Sequence, residues 1–97
     1  MPVVWIPTLL RPLAGGQQQV TVEGATVGQV IAALDAAHPG MRDRICTGDR
    51  LRPGIAVAID GTVSRLGLLQ PVPEGSEVQI LPAIAGGTWV VNIAPHF

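Results

Sequence analysis

The sequence has no lysine and no tyrosine, one cysteine and one phenylalanine, and only 13% of its 97 residues are charged. Each shortage excludes something. Binding to single-stranded nucleic acid needs a basic groove with aromatic platforms for the bases. Six scattered arginines, two tryptophans and a net charge of −1 do not supply one, so no nucleic-acid partner is expected. A lone Cys46 cannot form an internal disulfide, and with only His38 and His96 beside it it cannot complete a four-ligand zinc site. It is expected to be a small semi-buried side chain. The apolar runs are short, Ile55 to Ile59 being typical, against the roughly 20 residues of a membrane span. The start, Met1-Pro2-Val3-Val4-Trp5, lacks the basic region and long apolar run of a signal peptide. No membrane association and a cytoplasmic location are therefore expected.

What is present points to one packed domain. Hydrophobic residues make up 47% of the chain, too many for a disordered segment, and the length suits a single core. Val3 to Leu9 is rich in β-branched and aromatic residues and predicts a strand, with Pro7 marking an edge or bulge. Arg11-Pro12-Leu13-Ala14-Gly15-Gly16 predicts a turn. Gln19 to Glu23 alternates polar and apolar, a second strand with Val20 and Val22 inward. Thr26 starts a helix, with Gln29 placed to reach back in a capping box. Val27, Val30, Ile31 and Leu34 form its apolar face, and Pro39-Gly40 stops it. Met41 to Pro53 is irregular and allows one helical turn at Met41–Ile45.

Ile55 to Ile59 predicts a buried strand, followed by an Asp60-Gly61 hairpin turn. Thr62 to Leu69 holds a short strand or loop. Pro71, Pro73 and Glu74-Gly75 form another turn, and Ser76 to Leu81 is the last strand, with Val78 and Ile80 inward. The expected core comprises Val20, Val22, Val27, Ile31, Leu34, Val57, Ile59, Val78 and Ile80. The order of elements fits an α+β fold of β-grasp (ubiquitin-like) type: a mixed sheet of four to five strands, with first and last strands parallel at its centre and one main helix across it. Periodicity alone also allows another α+β strand order.

No Ser, His or acid shows a recognised catalytic spacing, so no catalytic residue is assigned and the chain is not expected to be an enzyme. Trp5 is expected to pack in its strand or to meet a partner. His38 lies at the helix end, where its charge suits the dipole. Arg11 beside its turn is expected to be solvated.

Three segments resemble the ThiS/MoaD class of ubiquitin-like sulfur carriers, on the CysO-like branch. These are Ile6-Pro7-Thr8-Leu9-Leu10-Arg11-Pro12 with Gly15-Gly16, then Thr26 to Leu34, and most specifically Glu74 to Gly87 with its Leu81-Pro82-Ala83-Ile84-Ala85-Gly86-Gly87 ending. The resemblance implies a carrier domain over residues 1–87 whose working end is Gly86 and Gly87. An adenylating (ubiquitin-activating-like) enzyme would use ATP on the C-terminal carboxylate, sulfur would replace AMP, and the thiocarboxylate would serve a sulfur-accepting biosynthetic enzyme for cysteine, thiamine, molybdopterin or a specialised metabolite. The carrier itself would bind no cofactor and no metal.

The family's mature proteins end at the Gly-Gly, whereas here residues 88–97 follow, Thr88 to Phe97. An internal Gly87 carbonyl is an amide and cannot be adenylated as a carboxylate. By resemblance to relatives with short extensions, a zinc-dependent JAMM-type protease would cut between Gly87 and Thr88. The extension alternates Trp89, Val91 and Ile93 with Val90, Asn92 and Ala94, so it is expected to lie extended on an apolar surface. Two other readings stand beside the carrier: a binding module that kept the fold and lost the chemistry, and a protein modifier attached through Gly87. With no lysine, the chain cannot form polymers on its own side chains.

Overall fold

The computed structural model of the chain describes residues 1–82. Strands β1 (Val3–Trp5), β2 (Gln19–Thr21), β5 (Ile55–Ile59), β6 (Thr62–Val63) and β7 (Glu77–Pro82) form one mixed sheet in the order β2-β1-β7-β5-β6. A separate two-stranded ladder joins β3 (Cys46–Thr47) to β4 (Arg50–Leu51). Helices α1 (Val27–Ala37) and α2 (Met41–Ile45) and two 3-10 helices, Thr8–Ala14 and Gly67–Leu69, complete it.

The first and last strands lie side by side and run parallel, Val4 opposite Val78. β2 pairs antiparallel with β1, and β5 antiparallel with β7. With α1 packed across this sheet, the topology is the expected β-grasp. One row of side chains, Val20, Val4, Val78 and Ile59, crosses the sheet by this pairing, and the first three are buried with α1 residues Val27, Val30, Ile31 and Leu34 in one core. Ile31 and Leu34 are 2% and 0% exposed. Ile59 departs from the expected core: it is only half-buried, being the last residue of β5, where it lines a shallow cleft with Thr62, Pro71 and Pro73.

The start of the chain also differs from the expected strand over Val3–Leu9. The strand ends at Trp5, because Pro7 has no N–H to give a ladder and its φ of −63° leads into the 3-10 turns of Thr8–Ala14. Those turns replace the simple turn expected from Arg11 and bury Ala14 completely. The short Cys46–Leu51 ladder was invisible as a period, having two residues in each strand.

A helix cap and a hairpin turn follow their sequence chemistry. Thr26 Oγ1 accepts a hydrogen bond from the Gln29 N–H (3.2 Å), while the side-chain Oε1 of Gln29 accepts from the N–H of Ala25 (2.8 Å), one residue before the expected cap partner. Asp60 and Gly61 both adopt positive φ (49° and 88°), as a two-residue type I′ hairpin requires. The hairpin is tied to the sheet by the N–H of Glu77 donating to Asp60 Oδ1 (2.9 Å) and the N–H of Asp60 donating to the Glu77 carbonyl (2.9 Å).

Candidate functional site

The Gly86-Gly87 end, the Gly87–Thr88 cleavage position and the extension 88–97 lie outside the described residues. The structure describes the platform from which they leave. β7 is the central strand of the sheet, held by β1 on one side and β5 on the other, and its last residue, Pro82, pairs with Ile55. The root of the tail is therefore the most fully laddered strand in the fold. From Pro82, the five residues to Gly87 can extend at most roughly 17 Å.

Around that root the structure gathers groups that the sequence leaves apart. An apolar groove of about 310 Å³ is lined by Pro7, Leu9, Leu10, Arg44, Ile55 and Ile80. Ile80 and Ile55 belong to the two strands that end there, and Leu9 and Leu10 to the first 3-10 helix. Leu9 is 82% exposed, an unusual position for a leucine next to other apolar side chains.

The six arginines are less scattered than expected: Arg42, Arg44, Arg50 and Arg52 fall within residues 42–52 of the sequence, on and beside α2, β3 and β4. Arg42 donates from Nη2 to the Gly48 carbonyl (2.8 Å), and Arg52 donates from Nε to the Asp43 carbonyl (2.7 Å). Asp35, with no role assigned from sequence, sets this segment. Its Oδ1 accepts from the N–H groups of Gly40 (3.1 Å) and Arg42 (3.0 Å), capping α2 from the end of α1. A helix-terminal Asp a few residues before a glycine and a second short helix was the available signal.

Cys46 lies beneath the arginines, buried in the core. Burial pushes its thiol above the ordinary value of 9.0, and the positive charges of Arg42 and Arg52 pull the other way. His38 is the C-cap residue of α1, its N–H donating to the Leu34 carbonyl (2.8 Å). Arg11 donates from Nε to the Ile6 carbonyl (3.0 Å), so it braces the chain entering the 3-10 helix rather than standing free. Among the described residues no three His, Cys, Asp or Glu side chains gather as a metal site, and no helix is long and apolar enough to cross a membrane.

The sheet face away from α1 is the other prominent surface. Gln19, Trp5, Gln79, Ala58 and Val63 form one row across all five strands. Trp5 is half-exposed in it, with its indole N–H bonded to Glu77. Ala58 is buried in this row, so the accessible side chains are Gln19, Trp5, Gln79 and Val63, with Trp5 beside the strand that leads to the tail.

Comparisons with known proteins agree with this geometry. The ThiS family profile matches residues 4–87. The sulfur carrier protein CysO of Mycobacterium tuberculosis is 38% identical over 91 residues, spanning 87% of this chain and 96% of the relative. A chain of the Amycolatopsis orientalis BexX/CysO complex superposes with a TM-score of 0.84 at 36% identity, covering 90% of this chain and 100% of that one. SAMP1 of Haloferax volcanii superposes with a TM-score of 0.69 at 30% identity, covering 89% and 98%. By strand order and by these likenesses, the chain belongs to the ThiS family of ubiquitin-like β-grasp proteins.

Proposed function

We propose that this chain is the precursor of a sulfur carrier that works in concert with partner enzymes. One observation carries the proposal: the family match ends on Gly87, the second glycine, and ten further residues follow it. In this proposal residues 1–87 are the carrier domain and residues 88–97 are removed on maturation. A JAMM-type metalloprotease hydrolyses the Gly87–Thr88 amide, giving a Gly87 carboxylate and a free Thr88 amine. An adenylating enzyme then joins that carboxylate to AMP from ATP, releasing pyrophosphate. A sulfur nucleophile displaces AMP and leaves a thiocarboxylate, which a biosynthetic enzyme consumes. The chain supplies the handle and the arm, and the bond-making groups belong to its partners. The likeness to CysO favours this class of chemistry, and the sheet face around Trp5 is the surface proposed for docking, since Trp is enriched where binding energy concentrates.

The test uses two forms, the full-length chain and a chain ending at Gly87, each incubated with a matching adenylating enzyme and ATP. Adenylate is expected on the short form alone. Equal adenylation of the full-length chain overturns the precursor reading. Mass measurement of the protein from its native source then reads the end state. A terminus at Gly87 with one oxygen replaced by sulfur supports the carrier. A lysine adduct through Gly87 supports the modifier reading, which the likeness to SAMP1 favours. An intact tail supports a binding module.

A further inference from the structure

The sheet ends in β2 on one side and β6 on the other, and the two edges differ. β6 has two residues, Thr62–Val63, between the Asp60-Gly61 turn and Arg65. A strand that short gives another chain little to pair with. β2 belongs to a longer stretch, Gln17 to Glu23, with no Pro, Lys or Arg and a single charge at its end. It therefore lacks the residues that usually guard an open edge. Its hydrogen bonds fix which backbone groups face outward. The Gln18 carbonyl accepts from the Ile6 N–H (2.9 Å), and the Val22 N–H donates to the Pro2 carbonyl (3.1 Å). Val20 lies opposite Val4 between them. In an antiparallel pair, residues that exchange bonds alternate with residues that do not. Gln19 and Thr21 thus turn their N–H and C=O groups away from β1, and among the described residues no further strand takes them up. Both residues are exposed.

We infer that this edge pairs with the same edge of a second copy of the chain, antiparallel and centred on Val20. Gln19 then lies opposite Thr21 of the second copy, and the twofold repeats the pair, so all four outward groups exchange backbone bonds. Charge selects this register. It sets Glu23, the only charge on the stretch, opposite the neutral Gln17 of the second copy. The Gln17 amide donates one N–H to the Ala14 carbonyl (3.1 Å) and has a second for that carboxylate. The two Glu23 carboxylates stand about 20 Å apart along the ladder, beyond the Debye length of about 8 Å at physiological salt. The result is one continuous sheet with both α1 helices on the same face. The contact is small, so the dimer is weak and transient. β7 lies two strands in from the joined edge, and the pairing is independent of sulfur chemistry.

The experiment takes the full-length chain from micromolar to millimolar concentration. Sedimentation equilibrium is expected to show the average mass rising from monomer toward dimer. Over the same range, amide exchange of Gln19 and Thr21 should slow several-fold, while that of Val20, already in the β1 ladder, should not change. Thr21→Pro removes an outward N–H and leaves the bonds to β1 intact, a place where an edge strand accepts proline. It is expected to abolish the concentration dependence. Two variants at the exposed Gln17 test the register at low salt. Gln17→Glu places like charges opposite each other and should weaken association, and Gln17→Lys places opposite charges and should strengthen it. Three results overturn the inference: a monomer mass throughout with unchanged exchange at Gln19 and Thr21, a dimer indifferent to Thr21→Pro, or Gln17→Glu and Gln17→Lys shifting association in the same direction.

Discussion

The indole N–H of Trp5 donates to Oε1 of Glu77 at 2.8 Å, linking residues 72 positions apart. Trp5 stands opposite Gln79 and Val3 opposite Glu77, so Trp5 and Glu77 are diagonal neighbours on the sheet face away from α1. The contact crosses the parallel pair that defines this topology, and does so on the open surface. A long aromatic side chain can span that diagonal where a shorter one would not.

This bond predicts a measurable coupling. Trp5→Phe keeps an aromatic ring and removes the donor. Glu77→Ala removes the acceptor. The pair is exposed, so its contribution belongs at the lower end for hydrogen bonds, about 0.5–1 kcal/mol. Urea unfolding of both single variants and the double variant isolates it. The double variant should cost less than the two singles added together. Strict additivity would mean that the bond contributes nothing in solution.

Gly24 should be far less tolerant than its surface position implies. Its φ of +157° is one that side-chain-bearing residues rarely adopt, and a Cβ there would lie 2.7 Å from the Val30 backbone nitrogen and 2.8 Å from Val30 Cγ2. Both the backbone and the start of α1 would have to shift. Gly24→Ala is expected to cost on the order of 3 kcal/mol. By contrast, Gly15→Ala adds a Cβ that meets nothing within 4 Å and should cost only the strain of its positive φ. Thermal denaturation of the two variants orders them, and a smaller loss for Gly24→Ala would contradict the packing.

Truncations in the core and on the surface should separate just as widely. Leu34 is completely buried between α1 and the sheet, whereas Leu69 is 79% exposed. Leu34→Ala is expected to cost about 2–5 kcal/mol, and Leu69→Ala to stay within about 0.5 kcal/mol of the parent. Comparable losses in denaturant titrations would show that Leu69 is covered in solution.

Much of this fold was legible because its elements have strong periods. The face Val27, Val30, Ile31, Leu34 repeats as a helix must, and Ile55 to Ile59 and Ser76 to Leu81 match β5 and β7 within a residue or so. Asp60-Gly61 announced its own turn. The losses came where tertiary contacts decide. Thr8 to Ala14 has a strand-like opening but follows Pro7, and its 3-10 turns are settled by burying Ala14. Asp35 reads as an ordinary polar helix residue until Gly40 and Arg42 come within reach of its carboxylate. The grouping of Arg42, Arg44, Arg50 and Arg52 was there to be read, since all four fall within residues 42–52, but the two-residue strands that carry part of this stretch are too short to leave a pattern. The Gly86-Gly87 end was recognisable only through resemblance, because a glycine pair has no periodicity of its own, and it lies outside the described residues.

Cys46 predicts how the fold responds to alkaline pH. Its thiol is buried, 3% exposed, with burial raising its pKa above 9.0 against the opposing pull of Arg42 and Arg52. A thiol raised in the folded state holds its proton more tightly there than in the unfolded chain. The unfolded state therefore loses protons first as pH rises. The stability this contributes is complete below about pH 9 and is lost as pH climbs from the unfolded value through the folded one. Urea midpoints measured from pH 7 upward should fall as pH passes 9, and Cys46→Ala should flatten that part of the decline by removing the titrating group. Replacing Arg42 or Arg52 by Gln removes a charge that favours the thiolate, so the fall should then begin at the same pH and extend further. The same burial predicts slow chemistry, since the thiolate is the nucleophile. At pH 8 the native protein should react with iodoacetamide many-fold more slowly than the urea-unfolded chain. Equal rates would mean that Cys46 is open to solvent rather than buried in the core.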